Sequence, residues 1–65
     1  MFRNLRAEMA RVGMTGKELA KEIGITNSTF STKMNGKALF SLDEAFKIKK
    51  ALRSRLSLDV LFERS

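Results

Sequence analysis

Apolar residues fall at Phe2, Leu5, Met9 and Val12, at steps of three and four, with charged and small residues between them. That spacing lays one apolar stripe along a helix, and Gly13 marks where it stops. Thr15, with Glu18 three residues later, forms a capping box in which each side chain satisfies a backbone N–H at the start of a second helix. This helix runs to about Ile23, with Leu19 and Ile23 facing inward. Gly24 follows, where a chain leaving a helix needs positive φ, and Ile25 plugs the turn. Thr26 is an N-cap, so a third helix covers Asn27 to Met34, with Phe30 and Met34 one turn apart.

Asn35-Gly36 ends that helix. Ser41 with Glu44 repeats the capping box and opens a fourth helix through Leu42, Ala45, Phe46, Ile48, Ala51 and Leu52. Ser57-Leu58-Asp59 opens a short fifth one carrying Leu58, Leu61 and Phe62. The β-favouring runs around Ile25 and Phe30 lack period-two alternation, so the fold class is all-α, a bundle of five short helices. The predicted core is Leu5, Leu19, Ile23, Ile25, Phe30, Leu42, Phe46, Leu52, Leu58 and Leu61, with Phe40 and Phe62 as further candidates.

There is no proline, low-complexity segment or internal repeat, and residues 1–65 read as one domain. A core this small supplies about 3–5 kcal/mol, so self-association is an expected support. An isologous seam through Val60, Leu61 or Phe62 would provide it.

Charge adds a partner to this picture. Thirteen bases against seven acids give a net charge of +6 and an isoelectric point near 10.4, the balance of a domain that meets a polyanion. Residues 23–42 carry Lys33 and Lys37 with no acid, and residues 45–58 carry Lys47, Lys49, Lys50, Arg53 and Arg55, again with none. A surface serving solubility alone would intersperse the signs.

Composition also excludes chemistry. Without cysteine or histidine there are no disulfides and no Cys/His metal sites. Without tyrosine as well, no nucleophile has a recognisable base beside it, and no Gly-rich phosphate loop is present, so neither an enzyme nor a cofactor is expected. No apolar run approaches the roughly 20 residues of a membrane span, and charges interrupt the N-terminus where a signal peptide would be apolar. A soluble chain in a reducing, cytoplasmic compartment fits.

Between the second and third helices lies a three-residue turn, Gly24-Ile25-Thr26, with the small Ala20 four residues before its glycine, as a helix-turn-helix requires for two helices to cross closely. In order and spacing, Thr15-Gly16-Lys17-Glu18-Leu19-Ala20, Ile23-Gly24-Ile25, Ser28-Thr29-Phe30, Asn35-Gly36-Lys37 and Ser57-Leu58-Asp59 resemble the lambda repressor and Cro class of helix-turn-helix regulators of phages and bacteria. The resemblance covers roughly residues 4 to 62, with the helix-turn-helix at about 16–35. It implies a five-helix, lambda-repressor-like DNA-binding domain that works as a homodimer on a pseudo-palindromic double-stranded operator. With the family domain filling nearly the whole chain, a small Cro-like phage or prophage repressor is the expected role. Two positions depart from the family pattern. Gly16 stands where many members carry a phosphate-touching glutamine, with Lys17 a substitute beside it, and Lys33 stands where an aliphatic core residue is usual, its packing role passing to Met34.

On a helical wheel at 100° per residue, Asn27, Ser28, Ser31, Thr32 and Asn35 occupy an arc of about 140° that excludes Phe30 and Met34. Such short polar side chains cost helix propensity, which an ordinary solvated face would avoid with Glu, Lys, Gln or Arg. They suit base edges: Asn pairs with adenine N6/N7, and Ser or Thr donates or accepts at several bases. Asn27, Ser28, Ser31 and Thr32 are the candidate base readers, Asn27 foremost. Lys33 lies almost opposite the arc centre and points to solvent, an acidic neighbour or a flanking phosphate. The resemblance sets Asn35-Gly36-Lys37 against the phosphate backbone through side-chain and backbone N–H donors. Lys17 and Thr29 complete the phosphate candidates.

Two rival functions remain. One is a protein-interaction module that reuses the fold to bind an antitoxin or anti-repressor type of partner. The other is RNA or membrane-surface binding, which the core-like phenylalanines disfavour because RNA modules display stacking aromatics.

Overall fold

The computed structural model describes residues 1–64. Five helices follow one another, α1 (Arg3–Val12), α2 (Gly16–Ile23), α3 (Asn27–Met34), α4 (Leu42–Leu52) and α5 (Leu58–Leu61), with no strand among the described residues. The starts of α2 to α5 are where the caps were predicted. At α2 the Glu18 N–H donates to Thr15 Oγ1 (3.1 Å) and the Thr15 N–H to Glu18 Oε1 (2.9 Å). At α4 the Glu44 N–H donates to Ser41 Oγ (3.1 Å) and the Ser41 N–H to Glu44 Oε1 (2.8 Å). Thr26 and Ser57 cap α3 and α5 through their hydroxyl oxygens. Each such cap contributes about 1 kcal/mol, which matters for helices of two or three turns.

The turn between α2 and α3 is fixed by backbone geometry. Gly24 sits at φ 82°, its N–H donates to the Lys21 carbonyl, and the Ile25 N–H donates to the Ala20 carbonyl. This is a Schellman motif, which satisfies the end of α2 and turns Ile25 back onto the core. Ala20, nearly without exposure, lets α3 cross there.

Leu5, Leu19, Ile48, Leu52 and Leu61 form the fully buried centre, joined by Phe2, Ala20, Ile23, Phe30 and Met34. Phe40, in the α3–α4 loop, is the hub of an aromatic cluster: its ring lies edge-on to Phe2 (5.6 Å), Phe30 (6.0 Å) and Phe62 (5.3 Å). Ile25, Phe40, Leu58 and Phe62 are partly buried.

Two predicted core residues are on the surface. Leu42 is 68% exposed and Phe46 55% exposed. The buried stripe of α4 is Ala45, Ile48 and Leu52, and at 100° per residue Leu42 and Phe46 lie roughly 90° and 130° away from it. The sequence offers two apolar stripes on α4, and packing uses one. In the C-terminal seam expected for self-association, Leu61 is fully buried and so unavailable to a partner. Val12, the last apolar residue of α1, is also exposed. No described helix is long and apolar enough to cross a membrane.

Candidate nucleic-acid interface

α3 presents two chemically distinct faces. Phe30 and Met34 are buried, so Met34 carries the packing that the sequence assigned to it. Asn27, Ser28, Ser31, Thr32 and Asn35 are all exposed. The side chains of Asn27, Ser31 and Asn35 make no hydrogen bond within the described residues, nor does the Ser28 hydroxyl, so their full donor and acceptor capacity faces outward. Thr32 differs: its hydroxyl donates to the Ser28 carbonyl (3.0 Å), leaving lone pairs that can only accept. Thr29 Oγ1 accepts from Thr26 Oγ1 (2.9 Å), which binds it into the N-cap while keeping its own proton for a further acceptor.

The Asn35-Gly36-Lys37 segment corrects one expectation. All three of its backbone N–H groups are used internally, donating to the carbonyls of Ser31, Lys33 and Thr32 respectively. The donors left to an outside partner are the Asn35 amide and the Lys37 ammonium, both exposed. Gly36 is required here twice over. Its φ of 78° favours glycine, and the Met1 side chain fills the space a Cβ would take.

Gly16 has an equally local reason. A Cβ at this first residue of α2 would stand 3.2 Å from Phe30 Cε2 and 4.0 Å from Asn27 Oδ1. Without one, the start of α2 closes onto the start of α3. The two first turns, each with N–H groups lacking an intrahelical partner and the positive end of a helix dipole, thus lie side by side. Lys17, exposed on the first turn of α2, adds a full charge there.

Arg6 was missed by sequence reasoning. It lies on α1, and together with Gly16, Asn27, Ser31 and Asn35 it surrounds a shallow pocket floored by Phe30. Its Nε donates to the Met1 carbonyl (3.1 Å), which orients the guanidinium. Only the tertiary fold, in which α1 packs on α4 and α5, brings Arg6 there; its place on the polar side of the α1 stripe is the single hint in the sequence.

Lys33 is turned the other way. Its Nζ sits 2.6 Å from Glu44 Oε1 and 2.6 Å from Oε2, with both side chains about one-sixth exposed. The lysine's hydrogen bonds, followed by the Ser41 N–H, hold the Glu44 carboxyl below the usual carboxylate range. Of the three fates open to Lys33, an acidic neighbour is the one realised. Farther along, Lys47 pairs with Asp43 (3.1 Å) and Lys49 donates to the Leu56 carbonyl, whereas Lys50, Arg53 and Arg55 are exposed and have no acidic partner among the described residues.

The α2–turn–α3 unit therefore offers a short-polar, unengaged face with separated positive charge around its edges. No match was found among curated proteins or among solved structures. A family model, the Cro/C1-type HTH DNA-binding domain, matches residues 4–61. The match spans the bundle from α1 to α5, and the chain belongs to the family of Cro/C1-type helix-turn-helix DNA-binding domains.

Proposed function

We infer that this chain is a sequence-specific double-stranded DNA-binding regulator, acting as a small Cro-like phage or prophage repressor by occupying its operator. Residues 1–65 work as one DNA-binding domain. The observation that carries the reading is the composition and freedom of the α3 face: Asn27, Ser28 and Ser31 have unspent hydrogen-bonding groups, and Lys33, the one charged residue of α3, is tied back to Glu44. A face of short polar groups lets the helix approach base edges closely in a major groove about 12 Å wide.

In this reading Asn27, Ser28, Ser31 and Thr32 contact bases. Asn27 offers a bidentate amide at the helix start, and Thr32, its proton committed, accepts from a base amino group such as cytosine N4 or adenine N6. Lys17, Thr29, Asn35 and Lys37 contact phosphates and fix the register, with Arg6 beside them. Two protomers related by a two-fold axis set their α3 helices in successive major grooves, about 34 Å apart, on a pseudo-palindromic operator. Repression follows from steric exclusion of polymerase. The unpaired Lys50, Arg53 and Arg55 raise the long-range potential and speed encounter with DNA.

A mobility-shift titration over a range of salt concentrations tests the reading. Binding that depends on sequence and weakens steeply with salt supports it. Failure to bind any duplex at low salt, joined to tight binding of a protein, transfers the fold to the rival role of an interaction module.

A further inference from the structure

The outward face of α4 changes character along its length. At 100° per residue, Leu42, Phe46 and Lys50 fall within an arc of about 80°, clear of the buried Ala45, Ile48 and Leu52. Toward the start of the helix this face is apolar: Leu42 is 68% exposed and Phe46 55%, and Leu39 in the preceding loop is 78% exposed. Toward the end it is basic. Phe46, Lys50 and Arg53 line one shallow hollow, and Arg53 and Arg55 line the next. These three cations are exposed and have no acidic partner among the described residues. Cations at the end of a helix suit its dipole, which accounts for Lys50 but not for Arg55, beyond the helix, or for the aromatic ring in front of them. An ion pair, Lys47 with Asp43 at 3.1 Å, stands at the edge of the face.

We propose that this face docks an acidic amphipathic helix of another protein, whose apolar side chains seat on Leu39, Leu42 and Phe46 while its carboxylates meet Lys50, Arg53 and Arg55. Charge decides between occupants. Within this chain Glu8 is bound to Arg11 and Ser54, Glu18 and Glu44 close the capping boxes, Asp43 pairs with Lys47, and Glu63 accepts from Asn4. A second copy would therefore bring few free carboxylates, and a net charge of +6, to a surface that is already basic. A nucleic acid would satisfy the cations but leave both leucines in water, and it would find a single ring on which to stack. A helix with apolar residues one turn apart, followed by acids one to two turns later, satisfies both halves, since Phe46 to Arg53 spans about 10 Å of helix. None of these residues lines the hollow beside Asn27, Ser31 and Asn35. The docking face is thus distinct from the proposed DNA face, and it goes beyond the DNA-binding reading without depending on it.

Fluorescence anisotropy on the whole chain tests the site, with a labelled synthetic peptide of about 18 residues that carries leucines at i and i+4 and glutamates one to two turns later. At about 0.15 M salt the peptide is expected to bind at least about tenfold more tightly than a scrambled peptide of the same composition. Leu42→Gln and Phe46→Gln, both at positions too exposed to disturb the core, should each weaken it severalfold. Lys50→Glu with Arg53→Glu should weaken it by at least about tenfold. Phe46→Gln should leave any duplex affinity as it is in wild type. Two further probes, a single-stranded oligonucleotide and vesicles containing phosphatidylserine, should bind without regard to Phe46. Absence of peptide binding, or equal binding of the peptide and its scramble, overturns the proposal. So does loss of oligonucleotide or vesicle binding in Phe46→Gln, which would give the face to a nucleic acid or to a membrane.

Discussion

Lys33 Nζ lies 2.6 Å from both carboxylate oxygens of Glu44, and Glu44 Oε1 at the same time accepts the Ser41 N–H. One acid thereby caps α4 and anchors α3 to it. The ion pair keeps a lysine that interrupts the acid-free α3 segment off its polar face. Because both side chains are largely covered, the pair is screened less than a surface bridge, and removing one partner leaves the other poorly compensated.

A pH dependence follows with a definite sign. The folded-state pKa of Glu44 is depressed, so the carboxylate stabilises the fold at pH values above the ordinary carboxylate range, and that stability is lost as pH falls through the folded value. Urea midpoints of wild type and Glu44→Gln should differ by a constant amount above about pH 5 and converge below it. A difference that persists unchanged into acid would show that the charge of Glu44 is irrelevant. A double-mutant cycle with Lys33→Met should return a coupling between the two sites.

Core and surface on α4 should separate cleanly in stability measurements. Leu52→Ala removes a fully buried side chain and is expected to cost about 2–5 kcal/mol, as is Leu19→Ala in α2. Phe46→Ala, with the ring more than half in solvent, should change monomer stability by no more than about 0.5 kcal/mol. Equal losses at Leu52 and Phe46, measured by denaturant unfolding of dilute protein, would mean that α4 is rotated from the orientation described.

Arg53 ends α4 in the left-handed region at φ 50°, where glycine carries no side-chain penalty. Arg53→Gly is expected to raise stability by about 0.5–1 kcal/mol through relief of that conformation, which for a domain of this size is a rise of several degrees in Tm. Calorimetry checks it. A lower Tm would mean that the arginine side chain makes a contact outweighing the backbone strain.

The sequence was most legible where short-range chemistry decides. Thr15-Glu18, Ser41-Glu44, Thr26 and Ser57 announce helix starts because a cap is satisfied within three residues, and all four are where expected. Gly24-Ile25 announces the turn for the same reason. What packing decides was less legible. Leu42 and Phe46 share the apolar character of Ile48 and Leu52, and only contact with the other helices selects between the two stripes. Arg6 beside α3, and Phe30 against Gly16, arise from crossings between helices, which leave no mark at fixed spacing in the chain. The backbone N–H groups after α3 were misassigned because their internal carbonyl partners depend on the closing geometry of that helix.

Roles within the proposed interface should divide by kind of contact. Asn27→Ala is expected to relax base preference at one operator position at a cost of roughly 1–3 kcal/mol. Lys37→Ala should weaken every sequence alike and lower the slope of log affinity against log salt by about one. Arg6→Ala should resemble Lys37→Ala. An Asn27 variant that loses affinity equally on all sequences would remove that residue from base reading.

The most direct test of the central claim is selection of bound duplexes from a random pool. The account predicts enrichment of one motif with two-fold symmetry and half-sites about one helical turn apart, and an Asn27→Ala selection that differs from wild type at a symmetric pair of positions. A pool that remains random at low and moderate salt, or a motif that Asn27, Ser28, Ser31 and Thr32 variants leave unaltered, would contradict it.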